Sequence, residues 1–177
     1  SQLLLGFAVI LVGLLGISSQ AHAVTHYVQS STPTIFVHGW GSSSHAEEKM
    51  ANAARDAGVT KTIVRANVDR KGKVTFNHQI PANAVNPIVE VNLEDNKLSA
   101  YQDDYTQGYH HGGGYVKNVV LALEKQHHYK QINLVGHSMG NLEIINYIND
   151  NVNDKSLPQV AYLVAIAGHY NGLVGQS

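Results

Sequence analysis

The sequence contains no cysteine among its 177 residues. Disulfide bonds and thiolate metal sites are therefore excluded, as is a lipid-modified cysteine that would tether the chain to a membrane. Charged residues make up only 14% of the sequence, and no stretch concentrates lysine or arginine. Because a nucleic-acid binder needs a basic patch to neutralise phosphates, we expect no nucleic-acid partner. The 44% of hydrophobic residues is enough for one packed core.

A long apolar run occurs at the start of the chain, from Leu3 to Ile17. Its fifteen residues fall short of the roughly 20 that a membrane span needs. The run is followed by Ala21-His22-Ala23, the small-x-small pattern that a signal peptidase cleaves. The sequence therefore predicts a signal peptide over 1–23 and a mature domain over 24–177, with no stable membrane span after cleavage. An uncleaved N-terminal anchor is the alternative, and in both cases the folded part is expected to be secreted or at the cell surface.

Apolar strand patterns alternate with helical patterns along the mature chain. Strands are predicted at 34–37, 61–68, 88–93, 132–135 and 160–167, with a small hairpin near Lys71 to Phe76, and helices at 44–57, 116–129 and 141–149. The pattern of strand 88–93 predicts a half-exposed strand. We expect Ser44 and Glu47 to form a capping box at the first helix. This alternation predicts an α/β fold, a mostly parallel sheet with helices on both faces.

The predicted helices also carry apolar stripes that indicate which face is buried. The expected core positions are Ala46, Met50, Ala53 and Ala57, then Val116, Val119, Val120 and Leu123, and finally Leu142, Ile145 and Ile148.

Gly136-His137-Ser138-Met139-Gly140 lies between a predicted strand and a predicted helix. In that context G-x-S-x-G forms a sharp turn that exposes the serine hydroxyl, whereas a side chain at either glycine would crowd a neighbouring element. Ser138 is the candidate nucleophile, and the helix that follows supplies backbone N–H groups near a developing oxyanion. The neighbouring His137 is expected to pack and to form hydrogen bonds, not to act as the base. A turn that merely contains a serine is the alternative.

His38-Gly39-Trp40-Gly41 ends another apolar strand, about a hundred residues before the serine. Acyl transfer needs two backbone donors for the tetrahedral oxygen. Met139, just after the nucleophile, and Trp40, in the earlier turn, are the candidates, with His38 and Gly39 supporting the turn. A strand-to-helix turn without such a role is the alternative.

Four segments carry a family resemblance: FVHGWGSS, NPIVEVNL, the helix before INLVGHSMGN, and AGHYNG. Together they resemble a group of cell-surface α/β hydrolases from Gram-positive bacteria that carries a domain of unassigned function (DUF915). The resemblance covers Pro33 to Gly172. It implies the α/β-hydrolase fold with Ser138 as the nucleophile, and it leaves the substrate unassigned.

In this fold the catalytic acid and then the histidine follow the serine along the chain. The acids after Ser138 are Glu143, Asp150 and Asp154, and all precede the last predicted strand. His169 follows that strand but comes too early in the topology to be the base. We therefore expect the domain to be incomplete at its C-terminus and the chain as given to be inactive.

Four of the other histidines form two adjacent pairs, His110-His111 and His127-His128. Adjacent side chains on a helix diverge by about 100°, so neither pair can chelate a metal from one face. The acids Asp95, Asp103 and Asp104 match no calcium-loop spacing. No metal and no cofactor are predicted.

The sequence thus predicts a serine hydrolase, esterase- or lipase-like, acting on small-molecule or lipid esters through an acyl-enzyme. A non-catalytic surface protein with the same fold, and an acyltransferase or amidase on the same scaffold, remain open. The segment from Lys71 to His111 is where we expect loops that shape the substrate site.

Overall fold

The computed structural model describes residues 27–166. The predicted signal peptide and His169 lie outside the described residues. In chain order the elements are β1 (Thr34–Val37), α1 (His45–Asp56), β2 (Ile63–Val68), β3 (Val74–Phe76), β4 (Ile88–Leu93), a 3₁₀ helix (Ser99–Tyr101), α2 (Tyr105–Gln126), β5 (Gln131–His137), α3 (Met139–Asp150) and β6 (Gln159–Ile166).

The six strands form one sheet in the order β3-β2-β4-β1-β5-β6. All neighbouring pairs are parallel except β2 and β3, which form the predicted hairpin around Lys71 and Gly72. Helices α2 and α3 cover one face of the sheet over the larger core, and α1 covers the other face over a smaller core. This architecture confirms the predicted α/β-hydrolase fold class.

The larger core contains the predicted stripe of α2. Its members, each at most 1% exposed, are Val116, Val119, Val120 and Leu123. They pack under the sheet together with residues of β2, β4 and β5. The 3.6-residue period therefore located this core face correctly.

Strand β4 departs from the half-exposed pattern predicted for it. Only Asn92 among its six residues is not buried. The strand lies between β1 and β2 in the sheet interior, so helices cover both of its faces. Its polar Glu90, just 5% exposed, is thus enclosed beneath α1, and burial raises the pKa of that carboxyl.

In two helices the buried face is shifted from the predicted one, although Met50, Ala57 and Ile148 of the predicted stripes are partly buried against the core. In α1 the buried residues are Glu47, Ala51 and Ala54, one position along from the expected alanines. Ser44 makes no side-chain capping bond, so the predicted capping box is wrong. In α3 the buried residues are Met139, Gly140, Glu143, Ile144 and Tyr147, whereas Leu142 and Ile145 are 40% and 42% exposed. In both helices an acidic residue occupies the buried face, which the apolar pattern alone does not reveal.

Helix α2 begins eleven residues before the predicted start and runs through three consecutive glycines. Asp104 caps it by accepting a hydrogen bond from the Gln107 N–H (3.2 Å). A β-carbon on Gly113 would lie 2.8 Å from the backbone nitrogen of Tyr147, and one on Gly112 would collide with Glu143. The glycines therefore allow α2 and α3 to pack backbone against backbone, which offsets their low helix propensity of about 1 kcal/mol each.

Candidate active site

The topology brings the two predicted site segments together. Strands β1 and β5 are neighbours in the sheet, and Val37 pairs with Gly136 at their carboxyl ends. The residues that follow these strands, His38-Gly39 and Ser138, consequently meet at one edge. In open α/β sheets, ligand sites lie at this edge.

Ser138 occupies a sharp turn between β5 and α3. Its backbone has φ 54° and ψ −121°, a conformation that side-chain-bearing residues rarely adopt. The Ser138 N–H donates to the Ile166 carbonyl oxygen (3.1 Å), and its own carbonyl oxygen accepts from the Asn141 N–H (3.0 Å). The side chain is exposed. This is the strained strand-to-helix geometry that the G-x-S-x-G pattern predicts.

The glycines that flank the serine are in close contact with neighbouring elements. A β-carbon on Gly140 would collide with the Val37 carbonyl oxygen, and one on Gly136 would collide with the Asn141 side chain. Only residues without a side chain allow α3 to start directly against β1. The crowding expected at both positions is therefore present.

The two candidate oxyanion donors lie on either side of this contact. Trp40 belongs to the turn after β1, and Met139 is the first residue of α3. Within residues 27–166, neither of their backbone N–H groups donates a hydrogen bond to a protein acceptor. The first N–H groups of a helix have no intrahelical partner and carry the positive end of its dipole. Both groups are thus available to an oxygen outside the described chain.

His38 fastens the turn after β1 to the neighbouring strand. Its Nε2 accepts a hydrogen bond from the Leu93 N–H (2.9 Å) at the end of β4. The ring proton therefore lies on Nδ1, which donates to the Gly39 carbonyl oxygen (3.0 Å). The side chain is fully buried, and this burial lowers the pKa of the imidazole, with the nearby His137 lowering it further. The His38 imidazole is therefore neutral, and its hydrogen bonds connect the turn after β1 to β4.

Two asparagines and one lysine near the turn after β1 were not singled out from the sequence. Asn92 accepts from the Ser44 N–H through its side-chain oxygen (3.1 Å). The Asn96 carbonyl oxygen accepts from the Gly41 N–H (2.8 Å). The Lys97 ammonium lies 5.1 Å from the centre of the Trp40 ring. All three lie at or beyond the carboxyl end of β4, the same edge as the serine, and this position was the available signal. All three residues fall within the segment 71–111 expected to shape the site.

The acids that follow Ser138 lie away from it. The Glu143 side chain packs against Gly112 of α2, and within the described residues neither carboxyl oxygen has a hydrogen-bond partner. Burial, followed by the charge of Asp95, raises the pKa of Glu143 to about 8. Asp150, the last residue of α3, binds the exposed His110 (2.7 Å), and Asp154 caps a turn with Ser156.

The histidine pairs have separate partners. His111 is hydrogen bonded to the Tyr115 hydroxyl (3.0 Å), whereas its neighbour His110 is bound to Asp150. His127 faces the Ile80 carbonyl oxygen, and His128 faces Glu124. Within the part of the chain that the structure describes, no group of three or more histidine or acidic side chains is placed to hold a metal ion.

Two surface cavities formed by described residues lie away from Ser138. One of about 410 Å³ is lined by the end of α3 and the start of β6, and one of about 360 Å³ lies beside the start of β2. Both are at the amino ends of the strands, opposite Ser138. Because backbone strain of this kind concentrates at functional positions, the turn at Ser138 is a better candidate for the active site than either cavity.

A mostly parallel sheet covered on both faces, with a serine on a strained turn after an interior strand, defines the α/β-hydrolase class. The sequence model of one family, described as "Alpha/beta hydrolase of unknown function (DUF915)", matches residues 21–177. The chain belongs to this family. A comparison with curated proteins gave no match.

Two solved structures are similar to this chain. The product of the gene lin2722 from Listeria innocua is 28% identical, with a TM-score of 0.65, over 81% of this chain and 54% of that one. A Lactobacillus plantarum WCFS1 protein described as a candidate cell surface hydrolase is 17% identical, with a TM-score of 0.65, over 77% of this chain and 53% of that one. The chain thus spans about half the length of these proteins.

None of the helices within residues 27–166 is both long and apolar enough to cross a membrane.

Proposed function

We propose that this protein is a secreted or cell-surface serine hydrolase that cleaves carboxylic esters through an acyl-enzyme on Ser138. The observation that carries the proposal is the backbone of Ser138, with φ 54° at an exposed turn after the interior strand β5. Such a conformation costs about 1–3 kcal/mol in a residue with a side chain. A serine that keeps it presents its hydroxyl away from the sheet, where a substrate can approach.

In the proposed mechanism the Ser138 Oγ attacks the ester carbonyl carbon and the alcohol leaves with a proton. Water then attacks the acyl-enzyme and releases the acid. The backbone N–H groups of Trp40 and Met139 donate to the oxyanion in both steps. Their availability supports this role, and one such donor contributes about 10²–10³-fold to kcat in serine hydrolases.

The serine needs a base, which in this fold is a histidine oriented by an acid. Within residues 27–166 the hydrogen bonds of five histidines go to partners other than Ser138: those of His38, His110, His111, His127 and His128. We assign the base and its acid to the full-length protein outside these residues. The proposal concerns that full-length protein, as the chain spans only about half of the solved structures that it matches.

The location outside the cytoplasm rests on the leader pattern of Leu3 to Ala23. This location is tested by determining the N-terminal sequence of the protein recovered from the culture medium or cell surface. A mature chain that begins at Val24 supports cleavage after Ala23, and a chain that retains the apolar run supports an anchor.

Enzymatic function is tested with the full-length protein, Ser138→Ala, and Ser31→Ala as a control at an exposed serine. Esters of increasing acyl length, matched amides and a fluorophosphonate probe are the substrates. Ester hydrolysis and probe labelling that disappear in Ser138→Ala alone support the proposal. Equal activity in Ser138→Ala, or no reaction in the wild type, would identify a different catalyst or a non-catalytic surface protein. An added alcohol that captures the acyl group in preference to water would identify an acyltransferase.

A further inference from the structure

The segment Glu94 to Leu98 is attached to the turn that carries Trp40. The Gly41 N–H donates to the Asn96 carbonyl oxygen (2.8 Å). The Asn96 side-chain amide donates in turn to the Ser42 carbonyl oxygen (2.8 Å). Two hydrogen bonds in opposite directions thus hold the segment and the turn as one unit.

Asp95 and Leu98, which lie on either side of Asn96 and Lys97, are anchored in the protein interior. Asp95 accepts a hydrogen bond from the buried Tyr115 hydroxyl (2.8 Å), and Arg70 approaches its other oxygen (3.6 Å). Leu98 is fully buried in the left-handed conformation, with φ 49° and ψ 48°. That conformation costs a side-chain-bearing residue about 1–2 kcal/mol. It persists only where the surroundings fix the backbone, and such strain concentrates at functional sites.

Lys97 stands between these two anchors and beside the site. Its ammonium lies over the Trp40 ring, 5.1 Å from the centre, in the arrangement of a cation–π contact. Its Cε lies close to Gly41, 3.6 Å from the position of a β-carbon there. The Trp40 side chain is itself 55% exposed. An aromatic ring therefore orients the ammonium at the mouth of the proposed oxyanion turn.

The charge of Lys97 is not matched by an acid. Among residues 27–166 no carboxylate forms an ion pair with it. The nearest acids in sequence are engaged with Arg70, at 3.5 Å for Glu94 and 3.6 Å for Asp95. An uncompensated cation at the turn that carries a proposed oxyanion donor attracts a substrate of opposite charge.

We propose that Lys97, oriented by Trp40, makes the Ser138 site selective for esters that carry a carboxylate or phosphate near the scissile bond. This inference rests on the proposed function and names its substrate class. The anion contacts the Lys97 ammonium while the ester carbonyl lies at the Trp40 and Met139 N–H groups. Lys97 is a specificity residue and takes no part in the bond changes.

The experiment compares pairs of esters with the full-length enzyme. 4-Nitrophenyl butyrate and mono-4-nitrophenyl succinate differ by a carboxylate in the acyl part. The butyryl esters of methyl 3-hydroxybenzoate and of 3-hydroxybenzoate differ by a carboxylate in the alcohol part. The pair with the larger charge preference shows on which side of the ester the anion binds. Lys97→Gln is the test variant, Lys97→Arg the charge-retaining variant, and Lys61→Gln the control for net charge at an exposed lysine before β2.

We expect Lys97→Gln to lower kcat/KM for the anionic member of one pair about tenfold, corresponding to 1.4 kcal/mol, and to change the neutral member less than twofold. Lys97→Arg and Lys61→Gln should keep the preference, and added salt should weaken it. An unchanged preference in Lys97→Gln, with activity still abolished by Ser138→Ala, overturns this inference alone. Activity that survives Ser138→Ala overturns the proposed function and this inference with it.

Discussion

Gly39 and Ser138 face each other across the ends of β1 and β5 so closely that a β-carbon on Gly39 would lie 3.0 Å from that of Ser138. The same atom would lie 3.1 Å from the His137 carbonyl oxygen and 3.5 Å from the serine hydroxyl. The two proposed halves of the site are thus in van der Waals contact. Their spacing leaves no room for a side chain.

The first prediction follows from this contact. Gly39→Ala should displace the turn by a few tenths of an ångström and move the proposed Trp40 donor away from the oxyanion. We expect kcat to fall about 100-fold, the value of one oxyanion donor, with a smaller change in KM. Steady-state kinetics on a neutral ester measure this, with circular dichroism to confirm folding. Wild-type kcat in a folded Gly39→Ala variant would contradict it.

The second prediction concerns the strain at Ser138. Glycine adopts positive φ without steric cost, whereas alanine retains the cost of a β-carbon. We expect Ser138→Gly to raise the free energy of unfolding by about 1 kcal/mol relative to Ser138→Ala, while both variants lose activity. Urea unfolding of the two proteins measures the difference. Equal stability of the variants would count against strain at this turn.

The third prediction uses two adjacent glycines of α2. A β-carbon on Gly113 would lie 2.8 Å from the Tyr147 backbone nitrogen, whereas one on Gly114 meets nothing within 4 Å. We expect Gly113→Ala to destabilise the protein by about 1–3 kcal/mol, because backbone atoms must shift. Gly114→Ala should stabilise it by up to about 1 kcal/mol through helix propensity. Thermal and urea unfolding measure both, and effects of the same sign would show that α2 and α3 do not pack as described.

The fourth prediction concerns pH and the buried carboxyl of Glu143. Its pKa rises from an ordinary 4.5 to about 8 in the folded protein. Between these pH values the folded state holds a proton that the unfolded state has lost. The contribution of Glu143 to the free energy of unfolding is therefore fully present below about pH 4.5. It falls by up to about 1.4 kcal/mol per pH unit up to about pH 8 and is level above that.

Glu143→Gln removes this titration. Relative to the wild type, the variant should gain stability steadily from pH 5 to pH 8, although Glu47 and Glu90, whose pKa values are also raised by burial, still contribute in both proteins. Urea unfolding at each pH measures the difference, with Glu94→Gln as the control at a 58% exposed glutamate. Parallel stability curves for wild type and Glu143→Gln would show that Glu143 keeps its ordinary pKa.

The sequence predicts the parts of this structure that depend on short-range pattern. The strand-turn-helix around Ser138 and the order of the strands along the chain follow from apolar runs and paired glycines. The buried faces of α1 and α3 do not follow from the apolar pattern. Glu47 and Glu143 are buried there, although a carboxylate is normally expected in solvent. The start of α2 was also missed, because three glycines disfavour a helix unless a second helix packs directly against them.

The residues of the candidate site also differ in whether the sequence pattern indicates them. The candidate residues Ser138, Gly39, Trp40 and Met139 could be proposed from the sequence because their motif positions are fixed by backbone geometry. Lys97 could not, because its role depends on a neighbour that is 57 residues away in the sequence. Such contacts between loops carry no local pattern.

The placement of β1 in the middle of the sheet also affects when, during synthesis, the candidate site can form. β1 is synthesised first among the strands, yet both of its neighbours come much later, and its pairing with β5 joins residues about a hundred positions apart. Contacts of such long range form slowly, because the intervening chain must be ordered before they are made. A nascent chain that has not yet produced β5 lacks Ser138, which Gly39 contacts in the folded protein, although His38 can already bind Leu93 at the end of β4. The proposed site can therefore form only after β5 has paired with β1.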